Sequence, residues 1–242
     1  MPTHPQGFTA FVIGATGGIG RALVEALVND RRVVTVYAGS RAGNAAVPGA
    51  LDIQIDITDE TEISDAFAAI EEPLDLVIVA TGILHDDAGL TPEKSYGKLD
   101  ASQLAKSFAI NTIGPALVAK HAAKRLPRDR RAVIAALSAR VGSISDNRLG
   151  GWYGYRASKA ALNQMLKCFA IEIGRKRKQA IVVGLHPGTV NTGLSEPFQA
   201  NVPPGKLFSP HQSAGYLLQV IEGLTPEDSG KVFDWDGQEV PA

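Results

Sequence analysis

The chain has 242 residues, of which 45% are hydrophobic and 20% are charged, and its formal net charge is -1. This length and apolar content suit one α/β domain, residues 1–242, with a sizeable core. The charge argues against a nucleic-acid binder, and a single cysteine, Cys168, excludes a disulfide framework.

Residues 1–7 are polar and lack the charged start and apolar run of a secretion signal. No apolar stretch approaches the about 20 residues that a membrane helix needs. The histidines show no metal-ligand spacing; they are His4, His85, His121, His186 and His211. We therefore expect a cytoplasmic protein that has no metal site and binds neither a membrane nor nucleic acid.

Short apolar runs alternate with longer amphipathic segments along the chain. Val- and Ile-rich runs predict strands at residues 9–13, 33–37, 53–56, 74–80, 132–137, 181–185 and 231–233. Amphipathic segments predict helices at residues 19–29, 60–70, 99–126, 152–175 and 210–222. This alternation predicts a Rossmann-type α/β fold, a doubly wound parallel sheet of about seven strands with helices on both faces. Residues 187–210, rich in Gly and Pro, are expected to form an irregular lid over the site.

A glycine-rich loop joins the first predicted strand to the first helix. Glycines allow a tight turn and a close approach to a pyrophosphate, while the helix N-terminus supplies free N–H groups and a favourable dipole. The strand–loop–helix context favours a dinucleotide site over a simple βα turn. Its candidate binding residues are Gly14, Thr16, Gly17, Gly18, Ile19 and Gly20.

The residues after the second strand indicate which cofactor is bound. No acid is present there to accept from the ribose 2′-hydroxyl of NAD; Ser40 and Arg41 stand there instead. A guanidinium beside a hydroxyl suits a 2′-phosphate, so NADP(H) is favoured over NAD(H), the alternative being that Arg41 is an ordinary solvated loop charge. Asp56 and Ile57 end the third predicted strand, where Asp56 either accepts from an adenine amino group or caps the next helix.

Tyr155 and Lys159 lie four residues apart near the start of a long predicted helix, which places them on one face. A free tyrosine has a pKa of about 10. A nearby ammonium lowers that pKa and so suits the phenol to general acid–base catalysis. The alternative is an amphipathic helix that carries this pair by chance.

With the segment His186-Pro187-Gly188-Thr189-Val190-Asn191-Thr192, the glycine loop and the Tyr–Lys pair resemble the short-chain dehydrogenase/reductase family. The resemblance extends from Phe8 to Phe233. Residues 141–144 and 150–163 are similar to the branch that contains C-factor cell–cell signalling proteins and sniffer-type carbonyl reductases.

The resemblance implies roles for individual residues. Tyr155 exchanges a proton with the substrate oxygen, and Lys159 lowers the tyrosine pKa and holds the nicotinamide ribose. Asn111 supports a water in the proton relay, the alternative being a capping or kink asparagine within a helix. Val190 and Thr192 contact the nicotinamide amide and the pyrophosphate. The same segment contributes Pro187 and Gly188 to the cofactor site.

The sequence departs from the family pattern at two places. The fourth strand ends in Val79-Ala80-Thr81-Gly82 rather than Asn-Asn-Ala-Gly, although Gly82 still permits a close backbone approach at a cofactor floor formed by Ala80, Thr81 and Gly82. The usual second serine after the fifth strand is Ala139. Two candidates for the carbonyl-orienting serine follow: Ser138, one position early, and Ser143, on the next loop. A one-residue shift reverses the side-chain direction within a strand, which favours Ser143 unless the strand ends before Ser138.

We therefore expect an oxidoreductase that transfers hydride between NADP(H) and a carbonyl or alcohol substrate and forms a homodimer or homotetramer through its two long helices. The apolar side chains of the lid suggest an apolar substrate. The alternative is a cofactor-binding signalling or sensor protein with little turnover. The two departures and the C-factor-like resemblance motivate that alternative.

Overall fold

The computed structural model describes residues 7–242, so residues 1–6, including His4, lie outside the described part of the chain. The strands are β1 (Phe8–Ile13), β2 (Val33–Ser40), β3 (Leu51–Gln54), β4 (Leu76–Val79), β5 (Ala132–Leu137), β6 (Ala180–His186), β7 (Thr189–Val190), β8 (Leu207–Phe208) and β9 (Val232–Asp234). Seven of them form one parallel sheet in the order β3-β2-β1-β4-β5-β6-β9. The predicted Rossmann-type sheet of seven strands is confirmed.

Helices cover both faces of this sheet. They are α1 (Gly18–Val28), α2 (Glu60–Ala68), α3 (Ala101–Phe108), α4 (Gly114–Arg125), α5 (Tyr153–Lys176) and α6 (Pro210–Gly223). In β1, Ala10 and Val12 join the apolar cluster under α1 and α6, whereas Phe11 and Ile13 join the cluster under α2, α4 and α5. Burial on both faces explains why the strands read as continuous apolar runs.

The strand order reverses between β1 and β4. From β1 the chain continues outward to β2 and β3, and it then returns to β4 on the other side of β1. The connecting helices diverge at that point and leave a crevice outside the carboxyl ends of the two strands. The glycine loop after β1 and the segment Ala80-Thr81-Gly82 after β4 lie at this crevice.

Several predicted elements have other bounds in the structure, and two of these differences bear on the site. The third strand ends at Gln54, before Asp56, because Gln54 pairs with Ser40, the last residue of β2, and Ile55 and Ile57 are then buried beyond the end of the strand. The predicted helix over residues 99–126 is interrupted by a π-helical turn at Ala109–Ile113. Pro115 has no N–H to donate to the carbonyl of Asn111, so the α-helical hydrogen bond is missing there.

The segment after β6 is more regular than an irregular lid. Thr189–Val190 pairs in parallel with Leu207–Phe208, and a short 3₁₀ helix, Glu196–Asn201, lies between the two strands. Among residues 7–242, no helix is long and apolar enough to cross a membrane.

Candidate active site

Three adjoining cavities of about 380, 240 and 220 Å³ form a continuous cleft along the carboxyl ends of the central strands. We call them the nucleotide cavity, the central cavity and the outer cavity. The first two share Gly17, Ala80, Thr81 and Gly82. The central and outer cavities share residues of four distant segments: Ile19, Ser138, Tyr155, Pro187, Thr192 and Leu194.

The glycine loop forms one end of this cleft. Gly14 has a left-handed φ of 91°, and its N–H and that of Ala15 donate to the carbonyl of Gly39 at 2.9 Å. A Cβ on Gly20 would lie 2.1 Å from the Gly14 carbonyl oxygen, so only glycine fits there. Among the described residues, the N–H groups of Gly18, Ile19 and Gly20 have no backbone acceptor. These free donors at a helix N-terminus can bind an anionic group.

Ser40 and Arg41 both border the nucleotide cavity. Ser40 is buried, and its hydroxyl accepts from the N–H of Asn44 at 3.2 Å. Arg41 is exposed and has no ion pair with a described residue. Its guanidinium is therefore available to an anion in the cavity.

Asp56, Ile57 and Thr58 line the same cavity. The alternative that Asp56 caps the next helix is wrong, because Asp59 caps α2. Asp56 instead accepts from the N–H and the hydroxyl of Thr58 at 2.8 and 2.7 Å. Burial opposes ionisation of Asp56, but these hydrogen bonds and the charge of Arg41 outweigh it and lower the pKa of the carboxyl.

The floor of the cleft contains an unsatisfied polar atom. The buried hydroxyl of Thr81 has no hydrogen-bond partner, although Thr81 borders both the nucleotide and the central cavity. A buried hydroxyl without a partner is unfavourable unless a ligand supplies one. Across the floor, a Cβ on Gly82 would lie 3.5 Å from both Asn111 Oδ1 and Lys159 Nζ.

Tyr155 and Lys159 face the central cavity from the first turns of α5. Lys159 is 2% exposed, its Nζ donates to the carbonyl of Leu137 at 2.7 Å, and that Nζ lies 5.9 Å from the centre of the Tyr155 ring. Burial raises the pKa of Tyr155 to about 12 and lowers the pKa of Lys159 to about 8. Desolvation therefore dominates the pKa of Tyr155 in the protein alone, and the expected lowering by Lys159 stays a prediction. With this pKa, Tyr155 is a neutral phenol at pH 7.

The two candidate serines lie in different places. β5 ends at Leu137, so Ser138 is already past the strand and borders both the central and the outer cavity beside Tyr155. Its hydroxyl donates to Asn163 Oδ1 at 2.6 Å. Ser143 borders none of these cavities, and its hydroxyl accepts from the N–H of Asp146 at 3.1 Å in a loop turn. The preference for Ser143 is wrong because the hydroxyl that reaches the cleft is that of Ser138, although the backbone there is still extended and its N–H donates to the carbonyl of Leu185.

Asn111 lies in the π-helical turn and is fully buried. Its amide accepts from the N–H of Ile83 and donates to the carbonyl of the same residue, both at 2.8 Å, and it also donates to the hydroxyl of Ser158 at 3.2 Å. Asn111 therefore ties the floor of the cleft to α5, and its side chain does not border the three cavities.

The segment after β6 closes the outer side of the cleft. Pro187 and Thr192 border the central and outer cavities, and Gly188 and Val190 border the outer one. Of the apolar lid side chains, Leu194, Phe198 and Val202 line the outer cavity, whereas Leu207 and Phe208 form β8 away from it.

Sequence reasoning missed several residues of the outer cavity. Trp152 has a left-handed backbone with φ of 52°, and its ring packs edge-to-face on Tyr155 and Phe198 with centroid distances of 6.3 and 5.0 Å. His186 also lines this cavity, and its buried Nδ1 has no partner. Burial and the charge of Arg140 lower the pKa of His186 to about 4, so the ring is neutral. Only the position of Trp152, next to the Tyr155 motif, could have indicated its role.

Comparison with known proteins agrees with this arrangement. The family model for short chain dehydrogenase matches residues 8–203. C-signal of Myxococcus xanthus is 35% identical over 169 residues, covering 70% of this chain and 93% of that protein. The 1-hydroxy-2-glutathionyl-2-methyl-3-butene dehydrogenase of Rhodococcus sp. (strain AD45) is 31% identical over 236 residues. The match covers 95% of this chain and 97% of that protein.

Solved structures share the fold. Carbonyl reductase Sniffer of D. melanogaster has a TM-score of 0.81 at 23% identity and covers 99% of this chain and 100% of that chain. A short-chain dehydrogenase/reductase from Burkholderia multivorans with bound NADP has a TM-score of 0.78 at 26% identity. The match covers 98% of this chain and 100% of that chain. The resemblance found in the sequence is confirmed: this chain is an oxidoreductase that belongs to the short-chain dehydrogenase family.

Proposed function

We propose that this enzyme interconverts a carbonyl and an alcohol with NADP(H), and that Tyr155 is its acid/base. One observation carries the proposal. Tyr155, Lys159 and Ser138 border a single cavity that opens directly into the cleft at the glycine loop. The phenol of Tyr155 and the hydroxyl of Ser138 thus lie where a dinucleotide bound in the crevice between β1 and β4 would present its nicotinamide ring.

The cofactor residues fit NADP. The free N–H groups of α1 suit the pyrophosphate, and Thr81 offers an unpaired hydroxyl to the same ligand. Arg41, with Ser40 beside it, suits a 2′-phosphate, and no acidic residue occupies the end of β2. The NADP bound to the Burkholderia multivorans relative supports this choice. The remaining proposed contacts come from Asp56, Ile57, Ala80, Gly82, Pro187, Gly188, Val190 and Thr192.

The protein side chains perform the proton chemistry. The bound nicotinamide supplies or accepts the hydride. In reduction the neutral phenol of Tyr155 donates its proton to the substrate oxygen. Asn163 holds the hydroxyl of Ser138 at the cavity wall, where it can turn its proton toward the same oxygen. Lys159 is the proposed ribose anchor, and Asn111 keeps the floor in place by holding Ile83.

The test is a titration of the purified protein with NADPH and with NADH, followed by nicotinamide fluorescence. A screen of ketones, aldehydes and quinones for NADPH consumption follows. We expect tighter binding of NADPH, and turnover that disappears in Tyr155→Phe. Failure of both nucleotides to bind would contradict the cofactor assignment and the proposal with it.

A signalling protein with little turnover is the second candidate, favoured by the similarity to C-signal. The two candidates predict different behaviour of Tyr155→Phe. A sensor would keep its biological output in that variant, because it needs only the bound cofactor. An enzyme would lose turnover and retain nucleotide binding.

We also propose self-association through α4 and α5. Apolar side chains protrude from this region, with Ile113 53%, Met165 38% and Ile171 51% exposed. Light scattering of the purified protein measures the mass directly. A monomer at micromolar concentration would contradict this proposal without affecting the catalytic one.

A further inference from the structure

A cavity of about 670 Å³ lies beside the outer cavity rather than within the cleft. We call it the side cavity. Its lining comes from the segment after β4, from α3 and from the lid: His85, Asp86, Leu90, Thr91, Pro92, Glu93, Lys94, Lys98, Gln103, Pro197 and Phe198. The proposed function uses none of these side chains except that of Phe198, which lines the outer cavity as well.

Aromatic rings separate the two cavities. The ring of Phe198 packs edge-to-face on Trp152 at 5.0 Å and on His85 at 5.8 Å, and His85 Nε2 hydrogen-bonds to the carbonyl oxygen of Gly193 at 2.9 Å. Phe198 belongs to the 3₁₀ helix of the lid. A ligand whose head lies in the outer cavity can therefore reach the side cavity by passing this one ring.

The side cavity is lined by two carboxylates and two lysines, so the charges of the lining balance. The pairing of one carboxylate with Lys106, outside the lining, leaves the two lysines in excess by one charge. Asp86 forms an ion pair with Lys106. The carboxylate of Glu93 accepts from the N–H of Gly154 at the start of α5, with the shorter contact at 3.0 Å. Lys94 and Lys98 are exposed at the cavity, and neither forms an ion pair with a residue in the range 7–242. Both carboxylates are thus engaged, whereas both ammonium groups are available.

We propose that the side cavity is a second substrate subsite, which binds the carboxylate end of an elongated ketone or aldehyde through Lys94 and Lys98. The reacting carbonyl lies beside Tyr155, and the apolar part of the substrate passes Phe198. The position of the reacting carbonyl beside Tyr155 rests on the proposed function, whereas the binding of a carboxylate in the side cavity does not. The charge preference of the side cavity is measurable without turnover.

The experiment compares methyl-ketone acids from 4-oxopentanoate to 12-oxotridecanoate with their methyl esters, using NADPH consumption. We expect kcat/KM to favour the acid over the ester once the chain is long enough to pass Phe198. The preference should fall about three- to tenfold in the double variant Lys94→Gln/Lys98→Gln, which corresponds to two exposed ion pairs. It should also fall when the ionic strength is raised.

The matched control is Lys124→Gln/Lys178→Gln, which removes two exposed lysines elsewhere on the surface. We expect it to keep the acid preference of the parent enzyme. An ester preference at every chain length would overturn the proposal, and so would an equal acid preference in both double variants.

Binding separates this proposal from the catalytic one. Calorimetry with Tyr155→Phe protein loaded with NADPH measures the affinity for the same acids and esters. Lys94- and Lys98-dependent binding of the acids without turnover by the parent enzyme would support the subsite and contradict the proposed reaction. Turnover of the esters, together with acid binding that does not depend on the two lysines, would support the proposed reaction and contradict the subsite.

Discussion

The two halves of the cleft are built in different ways. The nucleotide half depends mainly on backbone: the left-handed turn at Gly14, the close approach at Gly20 and the free N–H groups of α1. The catalytic half depends on side chains from separate segments, such as Ser138 after β5 and Tyr155 on α5. Its ionisable groups are buried and have shifted pKa values, whereas Arg41 at the other end is exposed.

This difference indicates how each half responds to change. A backbone site needs glycines, because any Cβ meets the main chain, so substitutions there disturb the fold as well as binding. A side-chain site can lose one group and keep its shape. We therefore expect variants of the catalytic half to separate turnover from nucleotide affinity, and variants of the glycine loop to change both.

The largest effect is expected at Tyr155. Tyr155→Phe removes the proton donor and keeps the ring, so kcat/KM for carbonyl reduction should fall by about 10³-fold, within the range for general acid catalysis. The nucleotide dissociation constant should not change. Tyr153→Phe, at a partly exposed neighbour, is the control and should retain activity. Equal losses of kcat/KM in the two variants would contradict the assignment of Tyr155 as the acid, and weaker nucleotide binding by Tyr155→Phe would contradict the separation of turnover from binding.

The two serines give a matched pair. Ser138→Ala should lower kcat/KM by about 10²-fold, since it removes a hydrogen-bond donor to the oxygen on which charge develops. Ser143→Ala removes only a turn contact with Asp146 and should keep normal kinetics. Steady-state assays of both variants decide the assignment, and a larger loss in Ser143→Ala would reverse it.

Arg41→Gln tests the side-chain contribution to the nucleotide half. Loss of a charge-assisted phosphate contact should weaken NADPH binding by about tenfold or more. NADH binding should remain unchanged because NADH has no 2′-phosphate. Arg31→Gln, at an exposed arginine outside the cleft, is the control. If the two nucleotides lost equal affinity, the preference would have another origin.

Gly20→Ala tests the backbone construction directly. The added methyl would meet the Gly14 carbonyl at 2.1 Å, so the free energy of unfolding should fall by about 1–3 kcal/mol, as for other overpacked sites. Gly215→Ala adds a methyl to an exposed position of α6 with no atom within 4 Å. Helix propensity predicts a gain of about 0.5–1 kcal/mol for this control. Chemical denaturation measures both variants.

The smallest effect is expected in the free energy of unfolding, which the buried charge of Lys159 lowers. Its folded-state pKa of about 8 lies below its ordinary 10.5, so the charged lysine destabilises the folded protein at pH 7. Lys159→Met should therefore be more stable than the parent by about 1–2 kcal/mol at pH 7 without cofactor.

The difference should shrink as the pH rises from 8 to 10.5, since the folded parent loses the proton before the unfolded chain does. Tyr155 stays protonated in the folded parent over this pH range, because its pKa is about 12. Denaturation at pH 7 and pH 10 measures the effect. A variant less stable than the parent at pH 7 would contradict it.

The sequence predicted the backbone half of the site more completely than the catalytic half. The glycine loop needs specific residues in a fixed local order, and Gly14 to Gly20 can be found without knowing the rest of the fold. The choice between Ser138 and Ser143 depended on which hydroxyl borders the cleft, and local apolarity does not define that. The pKa of Tyr155 depended on desolvation by distant segments, and the π-helical turn at Asn111 depended on one missing N–H at Pro115.

Trp152 has a further consequence for the evolution of this site. Its left-handed backbone is one that a bulky side chain rarely adopts. Glycine would relieve that strain, but it would remove the ring that packs on Tyr155 and Phe198. Relief of backbone strain and the ring contacts beside Tyr155 therefore favour different residues at this position. Relatives that take smaller substrates should be free to replace this tryptophan, and those that keep it should retain a bulky residue at the position of Phe198.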